Sequence, residues 1–447
     1  MKSMAAGNKT FLLPAFLFLQ LSFFSNGATF GRIFKRDTES HETDANGVKP
    51  LVFLTVSSLA SRTRNEEPRT LELNWDHIPH NLSENGDVWI GLYDRDPVDD
   101  TSNPLVSTRP NPQGYFRTSI RFPVQTFKGD SLTDACLGFW IALIHNSEIL
   151  SSNCIRARPN WMFQAQSLIG NVALIDLMIP GTHNAGCYAD FNPREDTLVN
   201  RYLLTQEETI WNQLVYGIRY LDLRVAYYRS KSSPERFWIT HSNFRTEVPV
   251  REVINQVKQF LNATNEIVIM DFHRFVTGFQ GSRATARHRE LVQMLENELG
   301  DYMIPIHFTS WATLNQLWTE DKRLYVGYAD ETSRKQSFLL FPAVRHLWGD
   351  VDTVNGLKAY LNETVCFQTA RRLTSAMAQL TPTTAGALFD IYGGLRSMAN
   401  DVNHHVTRWF RDSWNHCANI VSTDFFLGNN MIEVAIETNK NRISSVN

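Results

Sequence analysis

The sequence has no charge of one sign to spare. Its 43 Lys and Arg against 46 Asp and Glu leave a formal net charge of −3 over 447 residues, so neither nucleic acid nor an anionic bilayer attracts the chain as a whole. A lipid contact has to come from local features. Beyond residue 24 no apolar run is long enough to span a bilayer, and residues 437–441 (ETNKN) are polar where a GPI-attachment signal needs an apolar tail. Cysteine is scarce, at five. With 43% hydrophobic and 20% charged residues, the composition is ordinarily globular, and the length suffices for two or three domains with a sizeable core.

The N-terminus reads as a secretory signal peptide over residues 1–28. Lys2 and Lys9 precede the apolar run 11–24, and Asn26-Gly27-Ala28 offers small residues for cleavage. The alternative is a retained signal anchor, against which stand Pro14 and Gln20 inside the run and a length under the ~20 residues of a spanning helix. The expected location is therefore secreted and extracellular. In that compartment Asn81, Asn262 and Asn362, each in Asn-x-Ser/Thr, are candidate glycosylation sites, and disulfides are favoured. Cys136 and Cys154 flank an expected hairpin turning near Asn146-Ser147 and are paired on that ground. Cys366 with Cys417 is the second pairing, leaving Cys187 as a small buried side chain.

Residues 29–47 are polar and charged and are expected to be disordered. From 48 to 158 short apolar or alternating runs, as at 51–56, 71–75, 88–93, 116–120 and 139–144, are split by turn signals such as Asn85-Gly86-Asp87. This spacing predicts an all-β, Ig-like sandwich. Arg158-Pro159-Asn160 marks the boundary. From 161 to 447 expected strands at 173–179, 218–226, 237–241, 266–272, 323–328 and 419–426 alternate with helices at 207–215, 250–261 and 288–299, a pattern that suits a (β/α) barrel.

The residues that carry chemistry fall at the ends of those runs. His183 sits in PGTHNAG (180–186), His241 ends FWITH (237–241), and GIRYLDLR (217–224) places Asp222 and Arg224 two residues apart, hence on one face of a strand. Two imidazoles that titrate near neutrality, a fixed cation and a carboxylate are the parts of acid–base phosphodiester cleavage. His273 and Asp424 also fall at expected strand ends, where barrels build their active sites. Asp424 either orients His183 or caps the following turn; His273 either touches phosphate or lines the pocket. Residues 404–414, with His404, His405, Trp409 and Trp414, read as an aromatic loop that contacts lipid or packs inside.

In their order, IPGTHNAG, GIRYLDLRV, ITHS and EIVIMDFHRF resemble the X domain of phosphatidylinositol-specific phospholipase C in its metal-independent form, from about Trp161 to the C-terminus. The resemblance implies an irregular (β/α)8 barrel of the TIM type, incompletely closed, with His183 as general base, His241 as general acid, and a phospholipid at a membrane surface as substrate. In the calcium-dependent members the strand matching β-run 218–226 carries two acids; here the second is Arg224. Calcium wants about 6–8 oxygen ligands, so no metal cofactor is expected and Arg224 is assigned to the phosphate. Two positions depart from the bacterial pattern. Asn184 stands where those enzymes have Asp, and Tyr328 where they read the inositol ring with Arg; both are kept as substrate-binding candidates.

The leading reading is thus a secreted phosphoric diester hydrolase acting on phosphatidylinositol or a GPI-like lipid. A second reading is a catalytically weak or inactive secreted binding protein, its sandwich docking an extracellular protein and its barrel retaining lipid affinity. A third, a metal-dependent phosphodiesterase on the same barrel, needs a cluster of acids of which only Asp222 is evident.

Overall fold

A computed structural model describes residues 49–79, 87–130, 132–229, 233–367 and 372–444. The expected leader, the charged segment after it and Asn81 lie outside these residues. Strands β1 (Leu51–Val56), β2 (Thr70–Asp76), β3 (Val88–Tyr93), β4 (Val106–Thr108), β5 (Tyr115–Arg121), β6 (Ala135–His145) and β7 (Glu148–Ala157) form two antiparallel sheets, ordered β1-β2-β5 and β4-β3-β6-β7. Val52, Leu54 and Val56 of β1, Leu71, Leu73 and Trp75 of β2, Val88, Ile90 and Leu92 of β3, and Ile141 and Leu143 of β6 share one buried cluster. Successive members are two residues apart, so each strand turns one face inward and the two sheets pack on each other. The β6–β7 hairpin turns through Asn146 and Ser147 at φ 50° and 68°, the left-handed pair that a tight hairpin needs. Cys136–Cys154 bridges it, Cys366–Cys417 forms a second disulfide, and Cys187 is free and buried.

The second region is built on parallel strands. β8 (Ile179–Thr182), β9 (Tyr220–Tyr227), β12 (Val268–Phe275), β13 (Leu324–Tyr328), β14 (Phe341–Pro342), β15 (Arg345–Leu347), β16 (Thr374–Met377) and β17 (Ile420–Thr423) join in the order β14-β13-β12-β9-β8-β17-β16-β15. Every pair along that path is parallel. β10 (Phe237–His241) and β11 (Phe244–Pro249) form a hairpin laid antiparallel against β9. Only Ala343 and Val344 separate the two end strands of the path, so the sheet curves back to within a few residues' reach of its own start. Parallel neighbours require crossovers, and helices such as Val250–Ala263 and Ala284–Leu299 supply them. The first buries Val250, Val253, Ile254, Val257, Phe260 and Leu261, one stripe at helical spacing. The core of the two-sheet region continues without a break into these helices. No described helix is long and apolar enough to cross a membrane.

Three expectations are corrected. The run 173–179 holds a 3-10 turn (Leu174–Asp176), with strand beginning only at Ile179. Side chains satisfy part of its backbone: Asn419 donates to the Leu174 and Leu177 carbonyls, and Asn439 brackets the Met178 amide and carbonyl. The run 419–426 ends as strand at Thr423, because Phe425 turns left-handed at φ 46°. Residues 404–414 are helix Leu395–Arg408 continued by a π-turn, with Trp409 and Trp414 buried and His404 stacked on Tyr115, so this segment is packing between the two regions. Asn262 and Asn362 are exposed near helix C-termini.

Candidate active site

The close packing of β8 sets where His183 emerges. A Cβ on Gly181 would lie 2.7 Å from the Tyr220 ring, and one on Gly186 2.8 Å from Ile239, so both glycines let neighbouring strands approach. His183, His241 and Asp424 each follow or end a strand, and each is followed by a left-handed residue: Asn184 (φ 47°), Ser242 (φ 53°) and Phe425 (φ 46°). The backbone reverses at once behind every one of the three side chains.

His183 is buried between two charged partners. Its Nδ1 lies 2.7 Å from Asp424 Oδ1, and its Nε2 2.7 Å from Arg224 Nη2. A guanidinium can only donate, so Nε2 carries a lone pair and the proton sits on Nδ1, donated to Asp424. This is the tautomer of a base, with a carboxylate placed to stabilise its protonated form. Arg224 also donates to Asp222 Oδ2 at 3.2 Å, and the same oxygen accepts the Asn184 amide at 3.0 Å. Burial pushes the Asp222 carboxyl up, but Arg224, with His346, His183 and His273, outweighs it and holds the group below the usual carboxylate range. Asn184 has both side-chain polar atoms buried without partners, as does Asp222 at Oδ1.

His241 faces His183 edge to face, with ring centroids 6.2 Å apart. Its Nδ1 lies 3.0 Å from the Leu203 carbonyl, which only accepts, so Nδ1 bears the proton and Nε2 a lone pair. Burial, then Arg224 and His183, push its pKa down to about 3. At neutral pH this imidazole is uncharged.

A second cluster sits one strand along. Asp271 of β12 pairs in register with Asp222 of β9. Its Oδ2 accepts the Tyr220 hydroxyl at 2.9 Å and lies 3.6 Å from His273 Nδ1 and 3.4 Å from His346 Nε2. The two imidazoles stack at 3.5 Å. His183, Arg224, His241, His273, His346, Tyr328 and Asp424 line one pocket of about 910 Å³. Tyr328 is fully buried, and its hydroxyl is bonded to His288 Nδ1 at 2.9 Å. The pocket also takes Arg274, Arg334, Arg345 and Arg372 against Asp350 and Asp424, so its lining is cationic.

No family model matches the chain, but curated proteins do. PI-PLC X domain-containing protein 1 of Homo sapiens is 24% identical over 313 residues, covering 64% of this chain and 94% of the relative. PI-PLC X domain-containing protein 3 of Danio rerio is 26% identical over 310 residues, covering 63% and 92%. The chain is a relative of the PI-PLC X domain-containing proteins. Variant-surface-glycoprotein phospholipase C of Trypanosoma brucei brucei is also similar, 26% identical over 300 residues, 57% of this chain and 80% of that protein. Among solved structures, phosphatidylinositol-specific phospholipase C from Listeria monocytogenes aligns with TM-score 0.45 and 19% identity over 63% of this chain and 98% of that one. The Staphylococcus aureus enzyme aligns with TM-score 0.48 and 14% identity over 63% and 97%.

Within this X-domain relative, two parts of the site escaped sequence reasoning. His346 lies on β15, a strand of three residues, too short for any periodicity to mark. Gln206 is fully buried, donating to the His183 carbonyl at 3.1 Å and the Thr423 carbonyl at 2.8 Å. Its neighbour Thr205 donates to the Asn184 carbonyl and accepts the Phe425 amide. A glutamine in a polar stretch gives no signal of its own in the sequence.

Proposed function

We propose that the chain is a secreted phosphoric diester hydrolase that cleaves phosphatidylinositol, free or within a GPI-like lipid, by metal-independent acid–base catalysis between His183 and His241. The observation that carries this reading is the His183 contact set: Asp424 on Nδ1 and Arg224 on Nε2, with His241 opposite. When a phosphate enters, Arg224 transfers its donation from Nε2 to the non-bridging oxygens. The freed Nε2 takes the proton of the inositol 2-hydroxyl, whose oxygen attacks phosphorus. The bond from phosphorus to the diacylglycerol oxygen breaks, and that oxygen takes a proton from His241, giving diacylglycerol and a cyclic inositol phosphate. His241 must be protonated for that step, and the phosphate's own charge is what favours it against Arg224 and His183.

Calcium fits poorly at this centre. Asn184 Oδ1 and Asp222 Oδ1 lack partners and suit a cation, but Arg224 already lies on Asp222, and a guanidinium repels an ion that needs about 6–8 oxygens. The cationic lining suits an anionic head group. Leu388 lines the pocket, and Leu388, Phe389 and Ile391 are exposed, which suits a bilayer at its mouth. Two disulfides suit an oxidising compartment. The eight parallel strands support an irregular (β/α)8 barrel, open between β14 and β15, and the two antiparallel sheets of β1–β7 support an Ig-like sandwich before it.

The neutral His241 and the uncharged Asn184 favour a second reading, a binding protein on a retired barrel. The test is release of diacylglycerol from phosphatidylinositol vesicles in EDTA, beside His183→Ala. Release that survives EDTA and is lost in the variant is expected. Loss in EDTA would overturn metal independence, and an inactive parent chain would favour the binding protein.

A further inference from the structure

Arg69 belongs to the two-sheet region, directly before β2, yet its charge is paired in the second region. Its guanidinium lies 3.2 Å from Glu207 Oε2 and 2.9 Å from Glu208 Oε1, and all three side chains are buried. The Arg69 backbone is left-handed, at φ 60°, a conformation that glycine or asparagine adopts more easily. Phe122 holds it there: the Phe122 amide donates to the Arg69 carbonyl at 2.8 Å, and the Phe122 carbonyl accepts from Arg69 Nε at 3.2 Å. A non-glycine residue in such a conformation persists only where its surroundings impose it. What this position gains in return is a guanidinium that reaches across to both carboxylates.

Glu207 and Glu208 follow directly on Gln206, and two routes lead from them to the histidine centre. On the first, the Glu208 carbonyl accepts Gln213 Nε2 at 2.8 Å. The same nitrogen donates to the Ala185 carbonyl at 2.9 Å, and Gln213 Oε1 accepts the Thr182 hydroxyl at 2.8 Å. Gln213, fully buried, thus holds the chain on both sides of His183. On the second, Arg396 pairs with Glu207 Oε1 and lies over the Phe425 ring, 4.6 Å from its centroid and next in sequence to Asp424. Arg396 is also tied to the two-sheet region: it donates to the Ser58 carbonyl at 3.2 Å, and its own carbonyl accepts the Ser58 hydroxyl at 2.8 Å. Two guanidiniums and two carboxylates therefore clamp the segment 203–208 from the two-sheet side. In a buried cluster of this kind, removing one member leaves a charge without its partner, and the chain that carries it must move.

We propose that Arg69 is a positioning residue of the His183–His241 centre, acting through Glu207 and Glu208, and that the two-sheet region is thereby a part of the site rather than a module attached to it. The proposal rests on the two-histidine reading of the pocket. Arg69 does not line that pocket. It fixes the segment whose Leu203 carbonyl orients His241 and whose Thr205 and Gln206 hold the chain beside His183 and Phe425.

The experiment compares the full chain with its Arg69→Met variant in two ways: by NMR of the histidine Nδ1 protons, and by kcat and KM on phosphatidylinositol vesicles. His183→Ala and His241→Gln assign the two resonances, those of the protons donated to Asp424 and to the Leu203 carbonyl. Arg69→Met should shift or broaden both, and should lower kcat by about 100-fold, the scale of a misplacement near 1 Å, with little change in KM. Arg69→Lys keeps the charge but not the fork, and should recover part of both. Glu433→Gln cuts the pair with Arg158, at 2.7 and 2.8 Å, which lies outside this path, and should leave the resonances and kcat as in the parent. If Arg69→Met fails to fold, Arg69→Met with Glu208→Gln decides, since it removes one charge of each sign. A folded Arg69→Met, or the double variant in its place, with both resonances unmoved overturns the proposal. So do equal changes in Glu433→Gln. An inactive parent counts against the hydrolase reading alone, and the resonances then decide the role of Arg69.

Discussion

His241→Gln should make the folded chain less sensitive to acid than the parent. In the folded protein burial, Arg224 and His183 hold the His241 pKa at about 3, against 6.5 for a free imidazole. As pH falls through 6.5 the unfolded chain takes up a proton here that the folded chain refuses. The ring's contribution to stability is therefore complete above pH 6.5 and is lost as pH falls toward 3. Between pH 7.5 and pH 5 the loss is about 2 kcal/mol, from 1.36 kcal/mol for each unit of displacement. That is an upper figure, since the ring keeps some contact with water. Glutamine does not titrate, and histidines such as His404, pushed down by burial, respond alike in both proteins and cancel. Denaturant unfolding of parent and variant at both pH values measures the difference. The parent's advantage over the variant should shrink by about 2 kcal/mol on acidification. A gap that does not change with pH would refute the argument, because the folded ring would then titrate as a free one does.

Asp424→Asn leaves the hydrogen bond to His183 but removes the charge that stabilises its protonated form, so kcat/KM on phosphatidylinositol should fall by about 1,000-fold or more with little change in unfolding temperature. Arg219→Leu should cost about 3–5 kcal/mol in denaturant unfolding, because Glu266, fully buried and 2.6 Å from that guanidinium, loses the cation it is paired with; adding Glu266→Gln should recover part of the loss.

The parts of the site that could be read from the sequence are those carried by contiguous residues. An apolar run that stops at His183 or His241 is visible because the change from apolar to titratable occurs within one strand. Asp222 and Arg224 are visible because alternation puts them on one face. The contacts that join these pieces are not visible. His183 and Asp424 are 241 positions apart, and only the parallel pairing of β17 with β8 brings Thr423 beside Thr182. The aromatic segment 404–414 left lipid contact and internal packing both open for a related reason, and the structure shows the packing. Its Trp and His residues suit an interface, yet Met398, Val402 and Val406 place them on a helix whose apolar stripe is buried. Element ends were blurred wherever side chains took over backbone partners, as Asn419 and Asn439 do before β8.

One short segment ties the separate strand ends together. The Leu203 carbonyl accepts from His241 Nδ1, the Thr205 hydroxyl holds the Asn184 carbonyl, and the Thr205 carbonyl holds the Phe425 amide. Gln206 bridges the His183 and Thr423 carbonyls. A left-handed Phe425 costs on the order of 1–3 kcal/mol unless its surroundings impose it, and this segment is what imposes it. Gln206→Ala should therefore act on both sides of the site at once. It leaves the buried His183 carbonyl without a donor, at about 1–3 kcal/mol, takes from the Thr423 carbonyl one of its two donors, the other being the His183 amide, and loosens the strand ends that aim His183 and Asp424. The expected result is a fall in kcat on phosphatidylinositol vesicles larger than any rise in KM, since Gln206 does not line the pocket. Gln206→Glu keeps the shape and the Phe426 contact but not the two donations, and should fail in the same way. A variant that loses stability while kcat is unchanged would show that the strand ends hold their geometry without this brace.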